Sequence, residues 1–203
     1  MHTCKTGYNN DSWIGHGQGY TVSGGLQWLS DAKPTVPWFH VTCNRSNLPK
    51  HSFIFWLRSH NRLLTKDRLK RFGIFHDEVC YLCVVDDETH THLFYDCQYS
   101  SRCCMMMQNI LGVRLRPELL QQWIKSSRGR SRLQQQIVGA CHVALVYAIW
   151  EARNHARHHD SVVLPRLQVK NVINRVIQRF WATNTTRLSD KEIIWIEKVK
   201  CQL

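Results

Sequence analysis

The chain has 203 residues, with 27 Lys plus Arg against 15 Asp plus Glu, and a formal net charge of +12 at neutral pH. That length allows one compact domain or two small ones and excludes a complete polymerase with palm, fingers and thumb. Hydrophobic residues make up 43% of the chain, enough for a core, so general disorder is excluded. The cationic excess favours a polyanionic partner, nucleic acid or an anionic membrane surface, and carries no information about fold.

Residues 1–48 form a lead-in rich in Gly, Ser, Asn and Trp, with Pro34 and Pro37. This composition predicts short strands and turns, with a strand at 19–22 leading into a short helix near 26–29. The opening MHTCKTGYNNDSW has no charged stretch followed by an apolar run, so no secretory signal is expected. The expected compartment is the reducing nucleus or cytoplasm. Nine cysteines, an odd number, then read as metal ligands or buried thiols before disulfides.

Residues 49–112 form a second zone. Pro49 suits the first turn of a helix. At ~100° per residue, Trp56, Leu57, Leu63 and Leu64 share one side and Arg58, Arg62 and Lys66 the other. This predicts an amphipathic helix over 49–72, or two collinear ones if Thr65 caps a new start. Gly73 stops it, with Lys70 and Arg71 in the last turn where cations suit the helix dipole. From 92 to 110 the pattern is helical again, up to Gly112.

Residues 113–203 read as a helical tail. Pro117 opens a helix through Leu119, Leu120 and Trp123, and a basic loop spans 126–132. Leu133, Ile137, Ala140, Cys141, Ala144, Leu145 and Ala148 then recur at helical spacing as far as Arg157. A further helix carries Val169, Val172, Ile173, Val176, Ile177 and Phe180, and the capping-box pair Ser189 and Glu192 announces a last one. The apolar run at 137–150 is interrupted by His142 and falls short of the roughly 20 residues a membrane span needs. It predicts a buried helix and no membrane partner. The expected fold is mainly α: a small helical domain containing a zinc knuckle, a helical C-terminal tail, and a short irregular or β N-terminal segment.

The chemistry concentrates in the window CYLCVVDDETHTHLFYDC. Two residues separate Cys80 from Cys83, eight separate Cys83 from His92, and four separate His92 from Cys97. A Cys-x2-Cys turn aims two thiolates at one ion, and a His and a Cys from the following turn complete the tetrahedron that zinc prefers. Four nitrogen and sulfur ligands without a carboxylate favour Zn²⁺ over Mg²⁺ or Ca²⁺. One structural Zn²⁺ on Cys80, Cys83, His92 and Cys97 is expected, with His90, and Cys103 or Cys104, as alternative ligands. The adjacent Asp86 and Asp87 superficially resemble polymerase carboxylates, but that chemistry needs a third Asp on another strand and two Mg²⁺. His155, His158, His159 and Asp160 form a second cluster, more simply explained as a polar helix end. No catalytic residue and no small-molecule substrate are expected.

Charge is segregated around this window. Residues 45–71 carry eight Lys or Arg against one acid, whereas residues 77–96 carry six acids and no Lys or Arg. The helix before the metal loop is therefore the expected contact for RNA or single-stranded DNA, through Lys50, Arg58, Arg62, Lys66, Lys70 and Arg71. Phe55, on the basic side of the wheel, is expected to stack on an unpaired base.

Taken together, Pro49 and Lys50, Phe55 and Trp56, Leu63, Thr65, Leu69, Cys80, Cys83, Glu88, Thr89, His92, Leu93, Phe94 and Cys97 follow a recognisable order. It resembles the zinc-binding domain found after the reverse transcriptase of plant LINE-type, non-LTR retrotransposons. Residues 11–29 resemble the lead-in of those proteins, and Trp150, Arg153 and Asn154 resemble their W-x-x-R-N helix. Cys43 departs from the pattern, standing where a Trp is expected before the Pro-Lys helix. The resemblance implies a zinc-stabilised accessory module without polymerase activity of its own, with a polymerase region in trans as a partner. The rival reading is a protein-interaction module whose zinc only holds helices together.

Overall fold

The computed structural model describes residues 39–74, 77–113, 129–159, 161–185 and 187–203. All belong to one compact unit that begins at Pro37. The strand expected at 19–22, the helix near 26–29 and the helix expected from Pro117 lie outside the described residues.

The elements are α1 (Phe39–Thr42), α2 (Pro49–Ser59), α3 (Lys66–Arg71), a π-type turn (His92–Asp96), α4 (Gln98–Leu111), α5 (Arg132–His159), α6 (Pro165–Thr183) and α7 (Asp190–Cys201). Among the described residues there is no strand, only an isolated antiparallel bridge between Val79 and Asp87. The fold is mainly α, as the periodicity predicts. No described helix is long and apolar enough to cross a membrane.

Two helices, not one, occupy 49–72. α2 ends at Ser59, Asn61 turns back at φ 51°, and α3 starts after Thr65, which is extended at its N-cap position. The buried face of α2 is His51, Phe55 and Arg58, spaced four and three apart along one stripe. The expected wheel was phased wrongly: Trp56 and Leu57 are half-buried at the flank, and Leu64 is exposed. Phe55 wins the interior because it meets His142 of α5 edge to face, with ring centroids 5.7 Å apart.

α5 organises the core. Its 28 residues extend about 42 Å, and nearly every side chain from Ile137 to Ile149 is buried. A helix apolar all round must be covered on several sides. α2 packs against it, α6 packs along it, and α4 packs on α6. One continuous buried cluster runs from Val41 to Val199, so zones 49–112 and 113–203 share a single core.

The later helices follow the sequence closely. All six apolar positions expected for α6 are buried. Ser189 and Glu192 form the capping box of α7, and α4 ends at Gly112, whose φ of 62° suits a glycine. Cys43 is exposed, so the departure from the pattern falls at the surface of the described residues.

Candidate metal centre

The metal loop is shaped by its backbone. Cys80 N–H donates to the Asp86 carbonyl at 2.8 Å, and Glu88 N–H donates to the Glu78 carbonyl at 2.6 Å. These two bonds pull residues 78–88 into a narrow knuckle with the Cys-x2-Cys turn inside it. Val84 N–H closes the turn on the Cys80 carbonyl at 2.9 Å, which forces Val84 to φ 56°. That left-handed conformation is costly for a β-branched residue.

Cys80 and Cys83 come from the knuckle, His92 from the first residue of the π-type turn, and Cys97 from the residue before α4. Their ligand atoms all lie within 4.8 Å of one another. Cys83 Sγ is 3.3 Å from His92 Nε2, and the other ring nitrogen, Nδ1, faces Asp86 Oδ2 at 3.9 Å. Nε2 is therefore the ring nitrogen that points at the thiols, with the exposed Asp86 carboxylate behind Nδ1 but beyond direct hydrogen-bond reach. Thr89 Oγ1 accepts the His92 backbone N–H at 3.0 Å and fixes the start of the turn. Cys80, His92 and Cys97 are buried and Cys83 is half-buried.

The thiols are electrostatically prepared for a cation. The Cys80 thiol, with the N–H groups of Ser100 and Tyr99 at the start of α4, draws the Cys97 pKa down to about 5. Cys80 itself is driven up, first by that same hydrogen bond to Cys97 and then by burial. The Cys80 thiol thus donates to a Cys97 sulfur that carries negative charge, and a divalent cation is a natural partner for that charge. Three thiols and one imidazole, with no carboxylate among them, fit Zn²⁺. Once bound, such an ion would have four protein ligands and no position open to water.

The alternative ligands lie elsewhere. His90 Nε2 is 2.9 Å from the Arg58 carbonyl, and its ring packs on Phe94. Cys103 and Cys104 are buried on α4, with burial first among the causes that push their thiols up to about 12 and about 11. Among the described residues, the Cys3His group is the only set of three or more such side chains close enough to share an ion. His155 and His159 instead stack on each other at 4.4 Å.

A buried ion pair joins this loop to the core. Arg153 of α5 donates to Glu88 in bidentate fashion, Nε at 2.9 Å and Nη2 at 2.6 Å from Oε1, with Oε2 3.0 Å from Nε. Glu88 is fully buried and Arg153 is 2% exposed. The same Oε1 also accepts the Lys66 backbone N–H at 3.0 Å, anchoring the start of α3. Sequence reasoning matched both Glu88 and Arg153 to family motifs but did not pair them, because 65 positions separate them. The only available signal was that each stood in a motif without a chemical task.

The basic residues before the loop are arranged differently from expectation. Phe55 is 0% exposed and cannot stack on a base. Arg58 is buried too, its guanidinium between Phe94 and Tyr95 and donating to the Tyr95 hydroxyl. Lys66, 1% exposed, is paired with Asp77 at 2.8 Å and sits 3.5 Å from the Tyr81 ring centroid. Arg58, Arg62 and Lys66 therefore do not form one solvated face. Lys70 is paired with Glu78 at 2.6 Å and Arg71 with Asp67 at 2.8 Å. Asp77 and Glu78, at the start of the metal loop, fold back onto Lys66 and Lys70 of α3. Lys50 and Arg62 remain exposed.

Residues 20–103 match the family described as zinc-binding in reverse transcriptase. The chain carries a zinc-binding domain related to reverse transcriptase. Within that domain, the matched span ends at Cys103 and so includes all four residues of the Cys3His group, but not Arg153, which braces it from outside. No curated protein and no solved structure matches the chain.

Proposed function

We propose that this zinc-binding domain, with the helices packed behind it, is an accessory module that binds RNA or single-stranded DNA with little sequence choice. It has no polymerase activity of its own and derives from the C-terminal part of a LINE-type retrotransposon reverse transcriptase, of the kind found in plants, acting in the nucleus. The observation that carries this reading is the distribution of charge pairs. The acids around the metal loop pair with Lys66, Lys70 and Arg153, and Asp67 pairs with Arg71 within α3, whereas among the described residues no cation of α2 or α6 is in an ion pair. The uncompensated charge lies on the helices, and the chain as a whole is at +12. Such a surface attracts a phosphate backbone in a salt-dependent, sequence-independent manner.

A second reading rests on a different observation. Val84 and Val85, at the tip of the metal loop, are 73% and 74% exposed, and Phe72 and Ile74 are exposed nearby in sequence. These apolar side chains favour a protein-interaction module whose partner is a polymerase region in trans. Titrating the zinc-loaded protein with labelled oligo(U) and oligo(dT) over a range of salt separates the two. Nucleic-acid binding requires log K to fall linearly with log salt; no retention at low salt favours protein docking.

A further inference from the structure

The cations left uncompensated are not spread evenly over the surface. α6 carries Arg166, Lys170, Arg175 and Arg179 and no acid at all. At ~100° per residue, Arg166 and Lys170 lie on one flank of its buried stripe, and Arg175 and Arg179 on the other. Arg166 lines a recess against Met106, Asn109 and Ile110 of α4. The Arg175 flank instead faces the start of α2, where Lys50 and His51 sit.

Three observations tie that corner together. Lys50 Nζ lies 4.7 Å from the centroid of the Tyr147 ring, and His51 packs on the same ring at 4.4 Å. A groove of about 270 Å³ between α5 and α6 is lined by His51, Tyr147, Glu151, Gln168, Asn171 and Arg175. His51 is held to a pKa of about 4, first by burial and then by the positive field of Lys50, Arg175 and Arg179. The three cations are thus close enough to act on one ring, and His51 stays neutral between them. Glu151 is the single acid on the groove wall, and its Oε1 is 3.2 Å from the Tyr147 hydroxyl. Arg179 adds a buried Nε with no hydrogen-bond partner.

The geometry points to the corner formed by Lys50 of α2 and Arg175 and Arg179 of α6 as the surface that takes the phosphodiester backbone of a single-stranded nucleic acid. This inference rests on the nucleic-acid reading above and moves the contact away from the metal loop. The arrangement also fixes the kind of recognition. The Tyr147 ring is occupied by His51 and Lys50, so it is not offered to a base, and the corner presents Arg175 on the groove wall with the Lys50 ammonium over the Tyr147 ring. Readout of the backbone alone, indifferent to base and to sugar, is the consequence.

The test uses the full zinc-loaded chain with labelled oligo(U) and oligo(dT), compared across salt concentrations. A triple variant, Lys50→Gln, Arg175→Gln and Arg179→Gln, is expected to lower the salt slope by about 2, since each phosphate contact on a single strand contributes about 0.7. A charge-matched control on and before α7, Arg187→Gln, Lys191→Gln and Lys198→Gln, should keep a slope within about 0.7 of wild type. The single reversal Arg175→Glu, at an exposed position, gives the same answer if the triple variant does not fold, with an expected loss of at least about 0.7 in slope. Equal losses in the triple variant and the α7 control would mean that net charge, not this corner, governs binding, and would overturn the placement. A wild-type slope retained in the triple variant would overturn the placement while leaving the nucleic-acid reading intact. Absence of salt-dependent binding by the wild type overturns both. So does binding only to phosphatidylcholine vesicles that contain phosphatidylserine, with none to either oligonucleotide.

Discussion

The metal loop with α3 and the α5–α6 pair are stabilised by opposite means. In residues 66–97 Leu69, Leu82, Leu93 and Phe94 are buried, but Phe72, Ile74, Val79, Val84 and Val85 stay exposed, and much of the order comes from the Cys3His group, the Glu88–Arg153 pair and the Lys66–Asp77 and Lys70–Glu78 bridges. α5 and α6 are held by buried Ile137, Leu145, Ile149, Ile173 and their neighbours. In a loop that leaves much of its apolar surface exposed, charge is consumed internally to make structure. On helices that already have a core, charge is left available for a partner. The surface that looks most basic in the sequence is therefore the one whose charge is most fully engaged.

The largest test of this contrast removes the metal. Apparent zinc binding energy in small knuckles is roughly 10–16 kcal/mol and is largely folding energy. Chelation, or Cys83→Ser, should therefore abolish exchange protection at the amides of Cys80, Val84 and Glu88, while the amides of Ile137 through Ile149 stay protected. Protection of the loop that survives chelation would show that its polar contacts suffice without metal. Cys141→Ser, in the core of α5, should leave zinc stoichiometry unchanged.

A smaller effect is expected from the brace. Arg153→Met leaves the Glu88 carboxylate buried without its partner, and breaking such a pair costs about 3–5 kcal/mol. Urea denaturation should report that loss, and zinc should be held less tightly although all four ligands are intact. Glu88→Gln combined with Arg153→Met should cost less than the sum of the two single changes. Additive costs would mean that the two side chains do not act as a unit.

The helical core has its own pH signature. His142 is held to a pKa of about 3, from an ordinary value of 6.5, by burial and then by the nearby positive charge of Arg58. Above pH 6.5 neither the folded nor the unfolded chain protonates it, so its full contribution is present. As pH falls from 6.5 towards 3 the unfolded chain takes up the proton and stability is lost. His142→Leu should flatten the pH dependence of the urea midpoint in that window, measured with zinc in excess. An unchanged pH profile would remove His142 as its source.

The smallest expected change is at the tip of the loop. Val84 holds a left-handed backbone conformation, which costs an L residue about 1–2 kcal/mol, and Asn tolerates it better. Val84→Asn should raise the thermal midpoint of the zinc-loaded protein slightly without altering zinc stoichiometry. A fall in the midpoint would show that the exposed valine contributes more than its backbone strain removes.

Local pattern carried much of this molecule. The six apolar positions of α6, the Ser189–Glu192 capping box and the Gly112 stop depend on neighbours within a few residues, and each is found where the spacing puts it. The Cys3His group is also local, drawn from residues 80–97. What was not legible depends on distant partners. Phe55 was placed outside because the wheel was phased on Trp56 and Leu57, whereas His142 on another helix decides which face is covered. The pattern places Arg58 and Lys66 in solvent because no local feature announces Tyr95, Tyr81 or Asp77 as their neighbours. The charge segregation is plain in the composition, but the start of the acidic segment folds onto the basic one and pairs with Lys66 and Lys70.

The Glu88–Arg153 pair also sets an order of events during synthesis. Cys80 and Cys97 are 17 positions apart, whereas Glu88 and Arg153 are 65 apart. Loop-closure entropy makes the longer contact about 1.2 kcal/mol harder to form, from three-halves RT times the logarithm of 65/17. Arg153 is moreover made 56 residues after Cys97, a delay of roughly 3–11 s at ordinary elongation rates of about 5–20 residues per second. For that interval the knuckle can close around zinc while its central carboxylate still faces water. The metal then presents a finished acidic socket, and the arrival of α5 is the docking of a helix onto a template that is already built.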